Sequence, residues 1–343
     1  MWNKIKQMLS VIVVGCLLIA GFFCFSEVTE RKDADIKYAP FFEDETEYDV
    51  LFFGTSHVIN GIFPMQLWSE YGITSYNFGG HAHTLATSYW IYKNAIEYHK
   101  PKVAVLDVYG VEGTYTDMDI SCAHMSFDAF PYSATKKAAV KDIFQSKNEQ
   151  IEILFPFTVY HSRWNLLNGN DYIGFFKGIE PGKEKGAESR IAVAKPQRED
   201  LVDKNQKYKE DSDYKQYIRN FIYSCREEGI EPVLIYVPFP ATAEMQMWAN
   251  SVYDIAEEEN VSFLNMHYDN IVDYDIDCYD SNSHLNPSGA GKVSKFLGEY
   301  LVGQYELKDK RQHEEFQMWN EDYEEYRQML IENIQKQKKV IRL

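Results

Sequence analysis

The chain has 343 residues, 45% of them hydrophobic and 25% charged, with a formal net charge of -17. That composition supplies ample apolar surface for a folded core, enough for one large domain or two small ones, and excludes disorder for the bulk of the chain. The acidic balance argues against nucleic acid as a partner, because a negative surface repels phosphate backbones.

In chain order, Met8 to Phe25 is an apolar run broken only by Ser10, Gly15 and Gly21, preceded by Lys4 and Lys6 and followed by Glu27, Glu30, Arg31, Lys32, Asp33 and Asp35. Its 18 residues just suffice to cross a bilayer, and the leading lysines predict a cytoplasmic N-terminus with the rest of the chain outside. Two other readings compete. A cleaved signal peptide would have a shorter apolar core and a small-residue cleavage site. A lipoprotein signal is suggested by Val13-Val14-Gly15-Cys16, but the apolar run continues past Cys16. An uncleaved anchor over residues 1–26 is the expectation, with a polar linker over 27–47.

From 48 to 306 the pattern alternates between β-rich and helical segments. Strands are predicted at Tyr48–Phe53, Ile73–Asn77, Val103–Val108, Val233–Val237 and Val261–Leu264. Helices are predicted at Pro64–Tyr71, His83–His99, Asp211–Glu228, Thr242–Glu259 and Pro287–Leu301. Such alternation implies an α/β fold, a flavodoxin-like three-layer sandwich around a mostly parallel five-strand sheet, whose ligands lie beyond the carboxyl ends of the strands. Residues 113–210 interrupt the rhythm and are too long for a structureless loop, so an inserted cap is expected there. The charged tail 307–343 places Tyr323, Tyr326, Leu330 and Ile334 on one face, as a packing or partner helix does.

The five cysteines, Cys16, Cys24, Cys122, Cys225 and Cys278, show no CxxC spacing, which argues against a zinc knuckle or redox motif and leaves one disulfide among the last three open. His57, His81 and His83 share no local spacing with a carboxylate, so neither a metal nor any other cofactor is expected. His99, His124, His267 and His313 read as structural or solvated.

Two stretches carry chemistry. Gly54-Thr55-Ser56 follows the first strand directly, which puts the Ser56 hydroxyl at the open end of the sheet beside backbone N–H groups suited to a developing oxyanion. A Gly-x-Ser turn alone is weak, since such turns often only cap helices. Asp280-Ser281-Asn282-Ser283-His284 precedes the last helix of the alternating region, and a histidine with a nearby carboxylate is what activates a serine.

Together these blocks resemble the SGNH/GDSL hydrolase superfamily, in its membrane-anchored, cell-envelope branch, similar to the proteins of teichoic-acid D-alanylation and alginate O-acetylation. The resemblance spans Tyr48 to Leu301 apart from the insert. It matches Val50 to Ser56 to the first family block, Asn77-Phe78-Gly79 to the second, and Asp280 with His284 to the last. It implies Ser56 as nucleophile, His284 as base and Asp280 as its orienting carboxylate, with Ser56 and Gly79 N–H groups as oxyanion donors. Two departures stand out. Asp280-x-x-x-His284 is one residue longer than the family spacing, leaving Asp277 and Asp275 as fallbacks. Leu106-Asp107-Val108-Tyr109-Gly110 stands where the family has Gly-x-Asn-Asp, so Tyr109 is the candidate replacement donor.

His57, His81 and, in the cap, Arg163 are candidate substrate contacts, with a surface salt bridge the competing reading for Arg163. The resemblance implies an extracytoplasmic esterase or O-acyltransferase acting on acyl esters of an envelope polysaccharide, with a membrane-bound acyltransferase as a partner. A non-catalytic carbohydrate-binding or assembly protein on the same fold is the alternative.

Overall fold

A computed structural model of the protein describes residues 2–113, 118–178, 180–209, 212–281 and 284–341. The chain opens with α1 (Trp2–Thr29) and α2 (Asp33–Glu43). The alternating region follows as β1 (Val50–Gly54), α3 (Ser56–Gly61), α4 (Pro64–Tyr71), β2 (Ser75–Gly79), α5 (Leu85–Ala95) and β3 (Val103–Asp107). Next come α6 (Ile120–Phe127), α7 (Ala134–Ile143), α8 (Lys147–Leu154), α9 (Phe157–Tyr160) and α10 (Gly169–Lys177). The chain then returns to the sheet through α11 (Asp213–Glu227), β4 (Glu231–Tyr236), α12 (Ala243–Glu258) and β5 (Ser262–Asn265), and ends with α13 (Pro287–Gln304) and α14 (Gln317–Ile341).

The fold is α/β, with five strands, all parallel, in the order β2-β1-β3-β4-β5. Every predicted strand is present within two or three residues of its expected ends. Parallel strands are buried on both faces, and here successive side chains feed two separate cores. Leu51, Phe53, Ala104, Leu106 and Leu234 face a core built with α5, α11 and α12. Val50, Phe52, Val103, Val105, Val233 and Ile235 face a second core with α3, α4 and α13. Because α13 packs on the β1 face, with Ser294 Oγ accepting the Phe63 N–H at 2.8 Å, its N-terminus lies over the carboxyl end of β1.

The segment expected as a polar linker is not one. It contains α2, whose Tyr38 and Phe41 are fully buried, Tyr38 stacking on Phe78 and Phe41 meeting it edge-on at 4.6 Å. In the tail, Trp319 and Tyr326 of α14 are buried against Trp68 and Phe63. Between β3 and α11, helices α6 to α8 contribute Phe127, Val140 and Ile153 to the first core, whereas α9 and α10 pack on α1. The stretch after α10 returns along the site end of the sheet, with Asn77 N–H bonded to Lys185 O, Glu188 N–H to Ile59 O and Ala194 N–H to Cys278 O at 2.9 to 3.1 Å.

Candidate functional site

The β1 strand delivers Ser56 to the carboxyl edge of the sheet. At Gly54 a Cβ would sit 2.5 Å from Val58 Cγ2 and 2.8 Å from Asp107 Cβ, so a side chain there would push α3 off the sheet. Thr55 is extended and caps α3, its hydroxyl accepting the His57 N–H at 3.3 Å. Ser56 is thus the first residue of α3, half-buried, and its own amide has no partner among the described residues.

His284 arrives from the other end of the chain on a small hairpin. Cys278 and Leu285 form an antiparallel bridge, Tyr279 N–H donates to His284 O at 3.0 Å, and Asn286 N–H donates to Asp277 O at 2.8 Å. Asn286 locks this hairpin to α13. Its oxygen accepts the Ser288 N–H and its amide donates to Ala192 O and Ile276 O.

The two ends meet. Ser56 Oγ lies 2.8 Å from His284 Nε2, and His284 Nδ1 lies 2.8 Å from Asp280 Oδ2. Asp280 Oδ1 also accepts the backbone N–H of His284 at 3.1 Å. A carboxylate only accepts, so Nδ1 carries the ring proton and the Nε2 lone pair of the neutral ring faces the serine hydroxyl. The longer spacing does not part the Asp280–His284 pair; Asn282 and Ser283 lie outside the described residues. The two fallback carboxylates are engaged elsewhere. Asp277 is buried against Lys292 Nζ at 2.5 Å and the Asp273 N–H at 2.7 Å, and Asp275 pairs with Lys195.

The expected Gly79 donor is already in use. Its N–H donates to Asn77 Oδ1 at 2.8 Å, while the Asn77 amide donates to Val58 O and Ile62 O. Asn77 therefore ties β2 to α3, and the oxyanion donor that remains from the sequence reading of these turns is the Ser56 amide. Tyr109 packs its ring on His57 at 4.3 Å and on Phe239 at 5.2 Å, so it stands in the same row of rings as His284. Burial raises its pKa, which keeps the phenol a donor.

His57 is not at a site mouth. It is buried between Tyr109 and Phe239, its ring lies 5.2 Å from that of His284, and Thr55 Oγ1 is 3.2 Å from its Nδ1. Burial, with the neighbouring His284, pushes its pKa down to about 3, so it is a neutral wall of the site. His81 is half-exposed and faces Glu188 at 3.4 Å. Burial would raise the Glu188 carboxyl, but His81, Lys37 and Arg190 overcome that and hold it at about 2. These residues line a cleft of about 420 Å³ that also takes in Arg31, Tyr38 and Ser126. Arg163 is held elsewhere. Its guanidinium donates to Thr29 O at 2.5 Å and pairs with Asp171 at 3.1 Å, joining the α10 region to the end of α1, in line with the salt-bridge reading.

Three participants escaped the sequence reading. Lys37 is half-buried, with a pKa lowered by desolvation to about 8, and donates to Gly79 O at 2.9 Å beside the Tyr38 hydroxyl. Tyr279 stacks on the His284 ring at 5.5 Å; its place beside Asp280 was the only local signal. Glu188 lies between α10 and α11, far from any motif. No protein-family model matches this chain, and no curated protein matches it.

Proposed function

We propose that this protein is a membrane-anchored, extracytoplasmic serine esterase or O-acyltransferase of the SGNH/GDSL type, acting on acyl esters of a cell-envelope polysaccharide. The observation that carries the reading is the continuous relay from Ser56 Oγ through His284 to Asp280, both links at 2.8 Å. In the first half-reaction His284 Nε2 takes the Ser56 proton as Oγ attacks the acyl carbonyl, and Asp280 stabilises the imidazolium that forms. The tetrahedral oxyanion is met by the Ser56 amide, with Tyr109 as second donor. His284 then returns the proton to the leaving alkoxide, giving an acyl-serine. Water or a sugar hydroxyl, deprotonated by the same imidazole, resolves it; the first outcome is hydrolysis, the second transfer.

Further features support the setting. The strand order β2-β1-β3-β4-β5 is that of flavodoxin-like doubly wound sheets, which bind ligands outside the strand carboxyl ends. In this reading the chain between β3 and α11 is the cap, and the cleft with Arg31, Lys37, Glu188 and Arg190 offers charged and hydrogen-bonding groups for a polar glycan. The α1 helix is long and apolar enough to cross a membrane, and Lys4 and Lys6 before it favour an outward-facing domain. A membrane-bound acyltransferase as donor-side partner fits that placement.

A second reading has its own support. With the Gly79 N–H committed to Asn77 and no asparagine after β3, the oxyanion site is poor in donors, as in a non-catalytic carbohydrate-binding or assembly protein. A fluorophosphonate probe separates the two. The enzyme reading expects labelling of the full-length chain that is lost in Ser56→Ala and in His284→Ala, with turnover of a small acetyl ester lost in parallel. Absence of labelling in a folded wild-type protein refutes it in favour of the binding module.

A further inference from the structure

The helix α1 does not leave the membrane as a bare stalk. Its apolar run Met8–Phe25 is about 27 Å long at 1.5 Å per residue, close to the hydrocarbon thickness of a bilayer. Phe157 of α9 packs on it from the side, 4.6 Å from the Phe22 ring and 6.0 Å from the Phe25 ring. Phe22 is three residues, or about 4.5 Å, inside the end of the run, so α9 reaches the boundary between acyl chains and headgroups. Arg163 then bonds Thr29 O, about 6 Å beyond Phe25, at headgroup height. α10 also packs on α1.

This neck carries apolar side chains that the protein leaves uncovered: Trp164, Leu166, Tyr172, Ile173 and Phe176, with Phe176 79% and Trp164 66% exposed. Ordinary monomers seldom expose such a patch. Its composition, with Trp, Tyr and Phe beside Arg163 and Lys177, is that of segments that lie in a membrane interface, where amphipathic rings sit at headgroup level and basic groups meet phosphates.

We infer that the stretch from α9 to α10 is an interfacial foot that lies in the outer leaflet of the same bilayer that α1 spans. It holds the domain at a fixed height and tilt. Lys37 and Tyr38, which bond Gly79 O at the site end of the sheet, lie only eight and nine residues beyond Thr29, so the foot also keeps the Ser56 end of the sheet close to the membrane surface. The inference rests on the reading of α1 as a membrane span.

The test uses the full chain, one copy per nanodisc of neutral phospholipid, so that neither a second copy nor a partner protein can cover the patch. An environment-sensitive fluorescent amino acid replaces, one at a time, Leu17, Trp164, Phe176 and Val302, the last exposed near the far end of α13. Lipids brominated near the carbonyl end or near mid-chain then report depth. The foot predicts that positions 164 and 176 lose about half their emission to the shallow bromines, position 17 more to the deep ones, and position 302 none. Quenching at 17 with 164 and 176 behaving like 302 overturns the foot while leaving the span intact. Absence of quenching at 17 overturns the span itself, and the foot with it.

Discussion

Asp280→Asn is the sharpest perturbation of the site, because the hairpin dictates how the new amide must sit. Asp280 Oδ1 accepts the His284 backbone N–H at 3.1 Å while Oδ2 faces Nδ1 at 2.8 Å. In asparagine only the oxygen can accept that N–H, so the NH₂ group turns toward Nδ1. Nδ1 must then be the acceptor, the ring proton moves to Nε2, and Nε2 can no longer take the proton of Ser56. The same substitution in a Ser-His-Asp protease costs about 10⁴ in kcat through the wrong tautomer, so a loss of about 10³ to 10⁴ in kcat/KM, ~4 to 5.5 kcal/mol, is expected here. Asp280 is part-exposed, and folding stability should change by about 1 kcal/mol or less. The assay is hydrolysis of 4-nitrophenyl acetate by the solubilised full chain, with fluorophosphonate labelling rate and melting temperature measured alongside. Asp277→Asn is the paired control: it weakens the bonds of a buried carboxylate to Lys292 and to the Asp273 N–H, so it should cost about 1 to 3 kcal/mol of stability but little rate. Should Asp280→Asn keep kcat/KM within about threefold of wild type while Ser56→Ala is inactive, the tautomer argument is wrong. A swap of the two phenotypes would make Asp277 the orienting group.

Gly79→Ala places a Cβ 2.7 Å from Ile59 N and 2.8 Å from Thr55 O, so it should lower stability by about 1 to 3 kcal/mol and drag the rate down with it; an unchanged melting temperature with a large rate loss would restore Gly79 as an oxyanion donor. Burial holds the folded-state pKa of His57 and His83 at about 3 and of His267 at about 4, all below the ordinary value. The unfolded chain therefore binds those protons first, so their contribution is complete above about pH 6.5 and is lost as pH falls toward 4, by up to about 1.4 kcal/mol per pH unit for each. Asp107 and Glu30, both held up to about 7 by burial, work in the opposite sense, their contribution fading as pH rises through the same window. Melting scans from pH 4 to 7 should show a net acid lability, shallower in His83→Gln; equal slopes would refute the histidine account. Protease added to intact protoplasts should remove the domain beyond α1, and its survival beside a digested control ectodomain would reverse the orientation.

The sheet was legible because parallel strands buried on both faces read as continuous apolar runs, and Val103–Leu106 and Val233–Val237 are such runs. The meeting of Ser56 with His284, 228 positions apart, followed from topology once the alternation was seen. A right-wound parallel sheet returns its last helix to the face that carries the first turn, and α13 does pack on α3 there. The irregular Asp-x-x-x-His spacing left the carboxylate open, since spacing alone does not reveal a hairpin that brings its two ends together.

What stayed hidden was decided by tertiary contacts with no local period. The α2 helix is charged at its start, carries Pro40 inside and has little amphipathic regularity, so it reads as a linker; Phe78, which receives both Tyr38 and Phe41, is what makes it part of the core. The use of the Gly79 amide was equally unreadable, because an Asn-x-Gly turn reads the same whether the asparagine points outward or, as here, back into its own turn. Both surprises meet at one residue. Gly79 is held by Asn77 through its N–H and by Lys37 and Tyr38 through its carbonyl, so the wall beside Ser56 is fixed from α3 on one side and from α2 on the other. That arrangement couples the position of the Ser56 turn to the helix that follows α1. Truncation that removes α2 together with α1 should therefore loosen the site itself. The measurable consequence is a drop in fluorophosphonate labelling rate for a chain beginning at Glu47, set against one beginning at Arg31; equal rates would show that α2 is packing alone.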